Sequence, residues 1–499
     1  MTDAAPPTTA QTQQADVPAR RGPSAAAVLT VLLAGTFIAQ FDFFVVNVAA
    51  PSLKADLGAG ATALELIVGG YAFALASGMI TGGRLGDLYG HRRLFALGMA
   101  GFGLASLLCG IAASPGQLIA ARLFQGLTAA MLAPQVLATI TATFTPAQRP
   151  RAIASYGVTA GIGSIAGQLL GGLLLDADIA GLGWRVIFLV NVPVCAVVAL
   201  LAPRVLPKAE TGRRTGIDPV GAAGISVALA LVLVPLALGH SSGWPAWTWL
   251  SMAGGVALGA PALWWERALA ARGGSPVLDL TLFHGSSFRA GIIASAAFYI
   301  YFGSFIFTLT LLLQGGLSLS PVGAGLAFTP MGLSYMVTSM IGKRLTARFG
   351  MNALIVGAAV TAAGLLALLL RVRSAGADTE VVWICGCLCL VGLGNGVVLP
   401  SLIGAALLDV PPQKAGMASG ALTTAQQFAS SAGIAVVGAV FFTTAGDRSP
   451  GAGYPDAMVA ATSVCVFMLL IVMAMMWVFR RITARESTPV STRETARER

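Results

Sequence analysis

The chain has 499 residues, of which 56% are hydrophobic and 10% are charged, and its mean hydropathy is +0.81. A soluble globular domain carries about 25% charged residues, so this composition excludes that class of protein. It predicts a polytopic membrane protein whose first partner is the lipid bilayer. The formal net charge of +10 is explained by membrane orientation, and no nucleic-acid partner is predicted.

Apolar runs of about 20 residues, long enough to cross a bilayer, occur fourteen times between residues 25 and 479. An even number of spans places both termini on one side of the membrane. Of the 30 Lys and Arg residues, 24 fall in the tails and in the loops on that side. The positive-inside rule therefore predicts cytoplasmic termini, and the predicted location is the cell (plasma) membrane.

The spans predict an all-α integral membrane fold with two six-helix bundles and two inserted helices. The residues from Leu85 to Gly90 recur weakly 260 positions later, at 345–350, which favours an internal repeat. The predicted regions are a disordered cytoplasmic tail (1–24), an N-terminal six-helix bundle (25–203), a basic linker with two inserted helices (204–270), a C-terminal six-helix bundle (271–481) and a second cytoplasmic tail (482–499).

Span 1 contains Asp42, the only acidic residue deep within any predicted span. A carboxylate in hydrocarbon costs several kcal/mol unless it is protonated, paired or in a wet cavity, so an intramembrane Asp indicates function. We predict that Asp42 carries a proton. The alternative is a purely structural partner for an arginine.

A charged stretch at residues 83–93 lies between two apolar runs and predicts a short connection between two membrane helices. Its glycines permit close helix approach and a tight turn, and its acid can pair with arginines at helix ends. The alternative is a basic loop that only fixes orientation. The candidate gating residues are Gly83, Gly86, Asp87, Gly90, Arg92 and Arg93.

Span 4 supplies the predicted partner of Asp42. At 1.5 Å per residue, Asp42 lies roughly 12 Å below the outer end of its span, and Arg122 lies roughly 9 Å below the same surface. We therefore expect these two charges to pair, because neither is stable alone at that depth. Gln125 shares the helix face of Arg122, one turn on.

Span 5 carries overlapping Gly-x-x-x-Gly steps, which predict close helix packing. The alternative is a generic packing seam. The packing residues are Gly163, Gly167, Gly171 and Gly172.

The second bundle has no deeply embedded acid or base, and its span 9 has a dense row of aromatic residues. Such a row is typical of packing or lipid contact, and it also suits a cavity for a bulky apolar compound. The six cysteines lie inside spans and the three histidines are scattered, so no metal site is predicted. The candidate cavity residues are Asn47, Gln125, Phe298, Tyr301, Phe305 and Gln426.

Several of these motifs resemble those of one family. The spacing Gly-x-Leu-Gly-Asp-x-x-Gly-x-Arg-Arg at 83–93 resembles the loop between helices two and three of major facilitator superfamily transporters, where it latches a gate. The segment 118–126 is similar to the span 4 motif of the superfamily. Residues 163–172 resemble its antiporter motif, although Gln168 stands where that motif has proline. Residues 184–193 resemble the start of span 6 in the fourteen-helix drug:proton antiporter branch.

The resemblance implies proton-coupled export of hydrophobic drugs or antibiotic-like molecules by alternating access, by a monomer that needs no cofactor beyond a proton gradient. The alternative is a facilitator, or an exporter of an endogenous metabolite or lipid, without proton antiport. An ATP-driven pump is disfavoured because no Gly-x-x-x-x-Gly-Lys-Ser/Thr loop occurs. An enzyme is disfavoured because His, Cys and paired carboxylates do not cluster.

Overall fold

The computed structural model describes residues 24–145, 147–208, 218–239, 243–274, 276, 278, 280–407, 410, 415–446 and 453–486. These residues form helices and connections, with no strand among them. The α-helices are α1 (Ala25–Leu57), α2 (Ala61–Tyr89), α3 (His91–Gly110), α4 (Pro115–Thr143), α5 (Arg149–Asp176), α6 (Val186–Leu189), α7 (Asn191–Val205), α8 (Pro219–Gly239), α9 (Ala246–Ala271), α10 (Ser286–Leu311), α11 (Pro321–Phe349), α12 (Met351–Ala375), α13 (Val381–Ala406), α14 (Ala415–Ala445) and α15 (Tyr454–Glu486).

Local sequence signals set several helix ends. The hydroxyl groups of Ser24, Ser114 and Ser320 accept hydrogen bonds from backbone amides in the first turns of α1, α4 and α11. Ser is a preferred residue at this position because its oxygen satisfies an amide that has no partner inside the helix. Helix α1 ends at Gly58, which has a left-handed backbone conformation with φ of 62°.

Among the described residues, twelve helical segments are long and apolar enough to cross a membrane. The all-α membrane fold is thus confirmed, but the count of fourteen spans is not. The inserted pair accounts for the difference. The described part of α8 gives only the shorter apolar segment Val220–Val232, and α9 is rich in Trp and Gly, which lowers its hydropathy.

The helices pack as two groups of six spans. In the first group α4 contacts α2 and α3, α1 contacts α5, and α3 contacts α7. In the second group α13 contacts α11 and α12, and α10 contacts α14 and α15. Helix α8 packs on both α2 and α14, and the Ser226 hydroxyl donates to the Ser77 carbonyl oxygen at 2.9 Å.

The repeat is visible in the connections. Gly90 links α2 to α3 with φ of 91°, and Gly350 links α11 to α12 with φ of 57°. Each glycine amide donates back to the helix that it ends, to the carbonyl oxygens of Gly86 and Thr346 at 2.9 and 2.8 Å. Both positions need a residue without a Cβ, because positive φ strains other side chains.

The two bundles meet along α2–α14 and α5–α11. Further contacts lie at the end away from the 83–93 stretch. There the Gln314 amide donates to the Val48 carbonyl oxygen at 2.8 Å, and the Lys54 ammonium lies 3.3 Å from the Tyr454 hydroxyl.

Candidate functional site

Asp42 and Arg122 form an ion pair in the centre of the first bundle. Arg122 Nη1 lies 2.5 Å from Asp42 Oδ2, and both side chains are fully buried. Asp42 is on α1 and Arg122 is on α4, so the depth estimate from the sequence brought together the right residues. A buried pair of this kind is stable only when further hydrogen bonds compensate for lost hydration.

The Asp42 carboxylate receives those bonds. Its Oδ1 accepts from Gln125 Nε2 at 2.9 Å and from Asn191 Nδ2 at 2.8 Å. Gln125 also donates to the Ser106 hydroxyl at 2.8 Å. Side chains from α4 and α7 therefore converge on the carboxyl group of α1, and α3 supports the network through Ser106. Sequence reasoning missed Asn191 and Ser106, which carry no charge to mark them.

Arg122 is held from several directions. Its Nε donates to the Ile67 carbonyl oxygen at 3.0 Å, and its Nη1 donates to Gln125 Oε1 at 2.6 Å. The guanidinium carbon lies 4.6 Å from the centre of the Tyr71 ring, in cation–π contact. Its Nη2 is buried and has no hydrogen-bond partner among the residues that the structure describes. If Asp42 lost its negative charge, the remaining contacts would therefore not stabilise the buried positive charge of Arg122 adequately.

Near the start of the 83–93 stretch, the closest helix approaches occur at Gly82, just before the stretch, and at Gly86, not at Gly83. A Cβ on Gly82 would collide with the Ala130 backbone, and one on Gly86 would collide with Gln135 Oε1. By contrast, a Cβ on Gly83 would make an ordinary contact of 3.7 Å. The expectation that Gly83 permits close packing is thus corrected: the residue beside it does so.

Gln135 on α4 contacts residues on both α2 and α3 at this stretch. Its Nε2 donates to the Gly82 carbonyl oxygen at 2.8 Å, and its Oε1 lies 2.8 Å from His91 Nδ1. The Asp87 side chain lies outside the described residues, so its pairing with Arg92 or Arg93 stays a prediction.

The span 5 glycines lie at two different helix–helix contacts. A Cβ on Gly163, Gly167 or Gly171 would lie 2.6–3.0 Å from atoms of α1. A Cβ on Gly172 would instead collide with the Pro321 carbonyl group on α11. Three of the four glycines thus pack within the first bundle, and the fourth lets the two bundles approach.

The predicted cavity residues divide into separate environments. Phe298, Tyr301 and Phe305 are fully buried in the core of the second bundle, so in this conformation they pack the protein and line no open cavity. A helical repeat marks an apolar face without showing which neighbour that face meets. The aromatic pair that crosses between bundles is Phe44 and Phe302, with ring centres 6.0 Å apart.

The polar candidates are also enclosed. Gln125 belongs to the Asp42 network and does not line a separate cavity. Asn47 is buried, and its amide donates to the Phe43 carbonyl oxygen at 3.2 Å. Its Oδ1 has no partner within the described part of the chain. Gln426 is 3% exposed.

The second bundle contains a neutral network at the corresponding place. Tyr301 on α10 and Asn395 on α13 exchange hydrogen bonds, with Asn395 Nδ2 3.0 Å from the Tyr301 hydroxyl. The Thr361 hydroxyl on α12 donates to Asn395 Oδ1 at 3.2 Å.

Glu65 is a buried acid that sequence reasoning missed. Glu65 lies near the start of α2, where the sequence gives no sign of deep burial, but its side chain is 3% exposed because α14 covers it. A Cβ on Gly438 of α14 would lie 2.8 Å from Glu65 Oε1.

Comparisons with known proteins agree with this architecture. The model of the Major Facilitator Superfamily matches residues 32–434. The chain belongs to this superfamily. The superfamily indicates a multi-pass membrane transporter rather than an enzyme.

Similar proteins indicate the branch of the superfamily to which the chain belongs. The chain is 38% identical to the puromycin resistance protein pur8 of Streptomyces alboniger over 83% of its own length and 81% of that protein. It is 37% identical to the probable actinorhodin transporter of Streptomyces coelicolor over 85% of its length and 73% of that protein. The relatives place the chain among the drug exporters of the superfamily.

Solved structures support the fold. A bacterial homologue of the human lysosomal transporter Spinster, in an inward-facing and occupied conformation, superposes with a TM-score of 0.66 at 15% identity. The match covers 91% of this chain and 97% of that one.

Proposed function

We propose that this transporter exports hydrophobic, antibiotic-like small molecules in exchange for protons by alternating access. The observation that carries the proposal is the Asp42–Arg122 pair, a titratable acid sealed in the centre of a membrane bundle. Such a group is costly to bury, and a transporter that moves protons needs one. The antibiotic resistance and export named in the relatives supports the substrate class.

The network explains how a proton would be coupled to a change of shape. In the charged state, three donors from Arg122, Gln125 and Asn191 converge on the Asp42 carboxylate. Protonation converts the carboxylate from a full acceptor to a partial donor, so at least one of these contacts must rearrange. Because the donors lie on α4 and α7, that rearrangement moves helices of the first bundle relative to α1.

The cycle follows from this coupling. Asp42 takes up a proton from outside when the cavity faces outward, and the substrate leaves. Inward opening returns the proton to the cytoplasm and admits new substrate. The bundle contacts of Val48 with Gln314 and Lys54 with Tyr454 lie at the end predicted to be external, so we assign this conformation to the inward-facing side of the cycle.

The substrate class also fits the surfaces between the bundles. The residues that meet there include the rings of Phe44 and Phe302 and the uncharged amide of Gln314. Aromatic rings and neutral amides favour a bulky apolar compound, bound through contact area and a few hydrogen bonds.

Transport into inverted membrane vesicles tests the proposal. With an imposed proton gradient, the wild-type protein should accumulate a hydrophobic antibiotic, whereas Asp42→Asn, which cannot titrate, should accumulate none above empty vesicles. The matched control is Asp56→Asn, because Asp56 is 52% exposed and paired with Arg185 at the end of α1. Wild-type accumulation by an inserted Asp42→Asn protein would overturn the proposal.

Gln168 supports one alternative, transport without proton exchange. It replaces the motif proline, and both of its amide atoms are buried without a partner in the part of the chain that the structure describes. If the wild-type protein equilibrates substrate across the membrane equally with and without a gradient, this facilitator is the correct assignment.

A further inference from the structure

The contact between α2 and α14 contains an acidic side chain that has no basic partner in the described part of the chain. We define the α2–α14 seam by Glu65 and Gly69 on α2 and by Ser431 and Gly438 on α14. The Ser431 hydroxyl donates to the Gly69 carbonyl oxygen at 2.9 Å, which fixes the antiparallel register of the two helices. One turn away on α2, the Glu65 carboxyl faces Gly438.

The seam encloses this carboxyl tightly. Glu65 is 3% exposed, and a Cβ on Gly438 would lie 2.8 Å from its Oε1 and 3.2 Å from its Cδ. Gly438 therefore provides the space that the carboxyl group occupies. Among the described residues, no hydrogen bond or ion pair involves the Glu65 side chain.

The nearby charges do not compensate for Glu65. Lys54 on α1 contacts the Tyr454 hydroxyl and lies 6.0 Å from the centre of the Phe442 ring. Arg122 lies on α4, which also packs on α2, but its charge is paired with Asp42. Helices α14 and α8, which pack on α2, contain no Asp, Glu, Lys, Arg or His in their described ranges.

From this geometry we infer that Glu65 is a second protonation site, which must bind a proton for the α2–α14 seam to close. An ionised carboxylate without a partner is strongly disfavoured at a site this deeply buried, whereas the neutral acid is tolerated. When the bundles separate at this end, water reaches Glu65 and the proton can leave. The inference rests on the proposed alternating-access cycle, since it assigns the seam to the gate that opens outward.

Proton binding at Glu65 has a different consequence from proton binding at Asp42. Glu65 lies in the gate itself, so it takes up and releases its proton on the same side of the membrane. It therefore carries no proton across. Instead, acid on that side favours closure of the gate, which makes return to the inward-facing state sensitive to external pH.

A distance measurement across the seam tests the inference. Spin labels are attached to Thr62→Cys on α2 and Thr443→Cys on α14, in a protein whose native cysteines are replaced, and their separation is measured by pulsed electron resonance between pH 5 and pH 8. In the otherwise wild-type protein, the ratio of closed to open seam should fall with rising pH, by at most about tenfold per pH unit because one proton is involved.

Variants of the two acids, Glu65 and Asp42, test which residue causes the pH response of the seam. Glu65→Gln is neutral at every pH, so its seam should stay closed throughout the range. Asp42→Asn should keep the pH response even though it lacks transport, which separates this inference from the proposed function. A wild-type seam that ignores pH, or a Glu65→Gln seam that still responds to it, would overturn the inference.

The glycine opposite Glu65 gives a second test, which does not depend on Glu65→Gln folding. Gly438→Ala should displace the carboxyl and lower the closed fraction at every pH. The same substitution in a Glu65→Ala background should have little effect, because the methyl group then has room. Equal effects in the two backgrounds would show that Glu65 does not occupy the seam.

Discussion

The two bundles of this transporter have the same arrangement of helices but different polar centres. In the first bundle, Asp42 on the first helix meets Arg122 on the fourth and Asn191 on the sixth. In the second bundle, the first helix contributes Tyr301, the fourth contributes Asn395 and the sixth contributes Cys465, whose sulfur lies 3.9 Å from the Tyr301 carbonyl oxygen.

The difference lies in charge. A hydrogen-bonded Tyr–Asn pair is neutral at physiological pH, so it offers no charge for a proton to change. An Asp–Arg pair changes its net charge when one proton binds, and its contacts change with it. If the protein exchanges protons as we propose, the comparison places proton handling in the first bundle and leaves the second as its packed, neutral counterpart.

Arg122→Ala should have the largest effect on this comparison. It leaves Asp42 buried without its counter-charge, and breaking one side of a buried pair costs about 3–5 kcal/mol. We expect loss of gradient-driven accumulation in inverted vesicles, together with a clear drop in the midpoint of thermal unfolding.

Arg122→Lys is the matched variant. A lysine keeps the charge beside Asp42 but cannot also donate to the Ile67 carbonyl oxygen and to Gln125. Transport should fall below wild type but remain measurable. If Arg122→Ala transports as well as Arg122→Lys, the charge of the pair has no role in coupling.

A smaller effect is expected where the repeats differ at their tight turns. Asp87 in the first repeat corresponds to Ala347 in the second. If Asp87 pairs with a nearby arginine or a helix end, its contacts contribute about 1–3 kcal/mol to the outward-facing state. Asp87→Asn should then shift the population toward inward-facing forms by about fivefold to a hundredfold and slow transport.

Cysteine accessibility from each side of the membrane measures that shift, with expression and orientation checked in parallel. Ala347→Asn introduces the same residue at the corresponding turn and should leave accessibility unchanged. If Asp87→Asn has the same accessibility and transport as the wild-type protein, the 83–93 stretch serves only as an orientation signal.

The smallest effect should come from the neutral network. Tyr301→Phe removes one buried hydrogen bond to Asn395, which contributes about 1 kcal/mol. Thermal stability should fall slightly, while proton-driven accumulation and its dependence on the gradient stay near wild type. A loss of coupling comparable to that of Arg122→Ala would show that the second bundle shares in proton handling.

The sequence predicted the features that follow from residue type and from depth in the membrane. A single deep acid and a single deep arginine at similar depth could pair only with each other, so Asp42 and Arg122 were found by counting residues. Glu65 escaped because its burial depends on α14, more than 350 residues away in the chain. The row of Phe298, Tyr301 and Phe305 is packed inside the second bundle, and its role in substrate binding stays a prediction, since periodicity marks a face without identifying what covers it.

The most direct test of the central claim is proton release on substrate binding. Purified protein in weakly buffered detergent solution is mixed with a hydrophobic antibiotic at a pH where Asp42 is protonated, and the released protons are measured against bound substrate. The account predicts that the wild-type protein releases about one proton per bound substrate molecule and that Asp42→Asn binds substrate but releases none. Substrate binding without proton release in the wild-type protein, or equal release by Asp42→Asn, would contradict it.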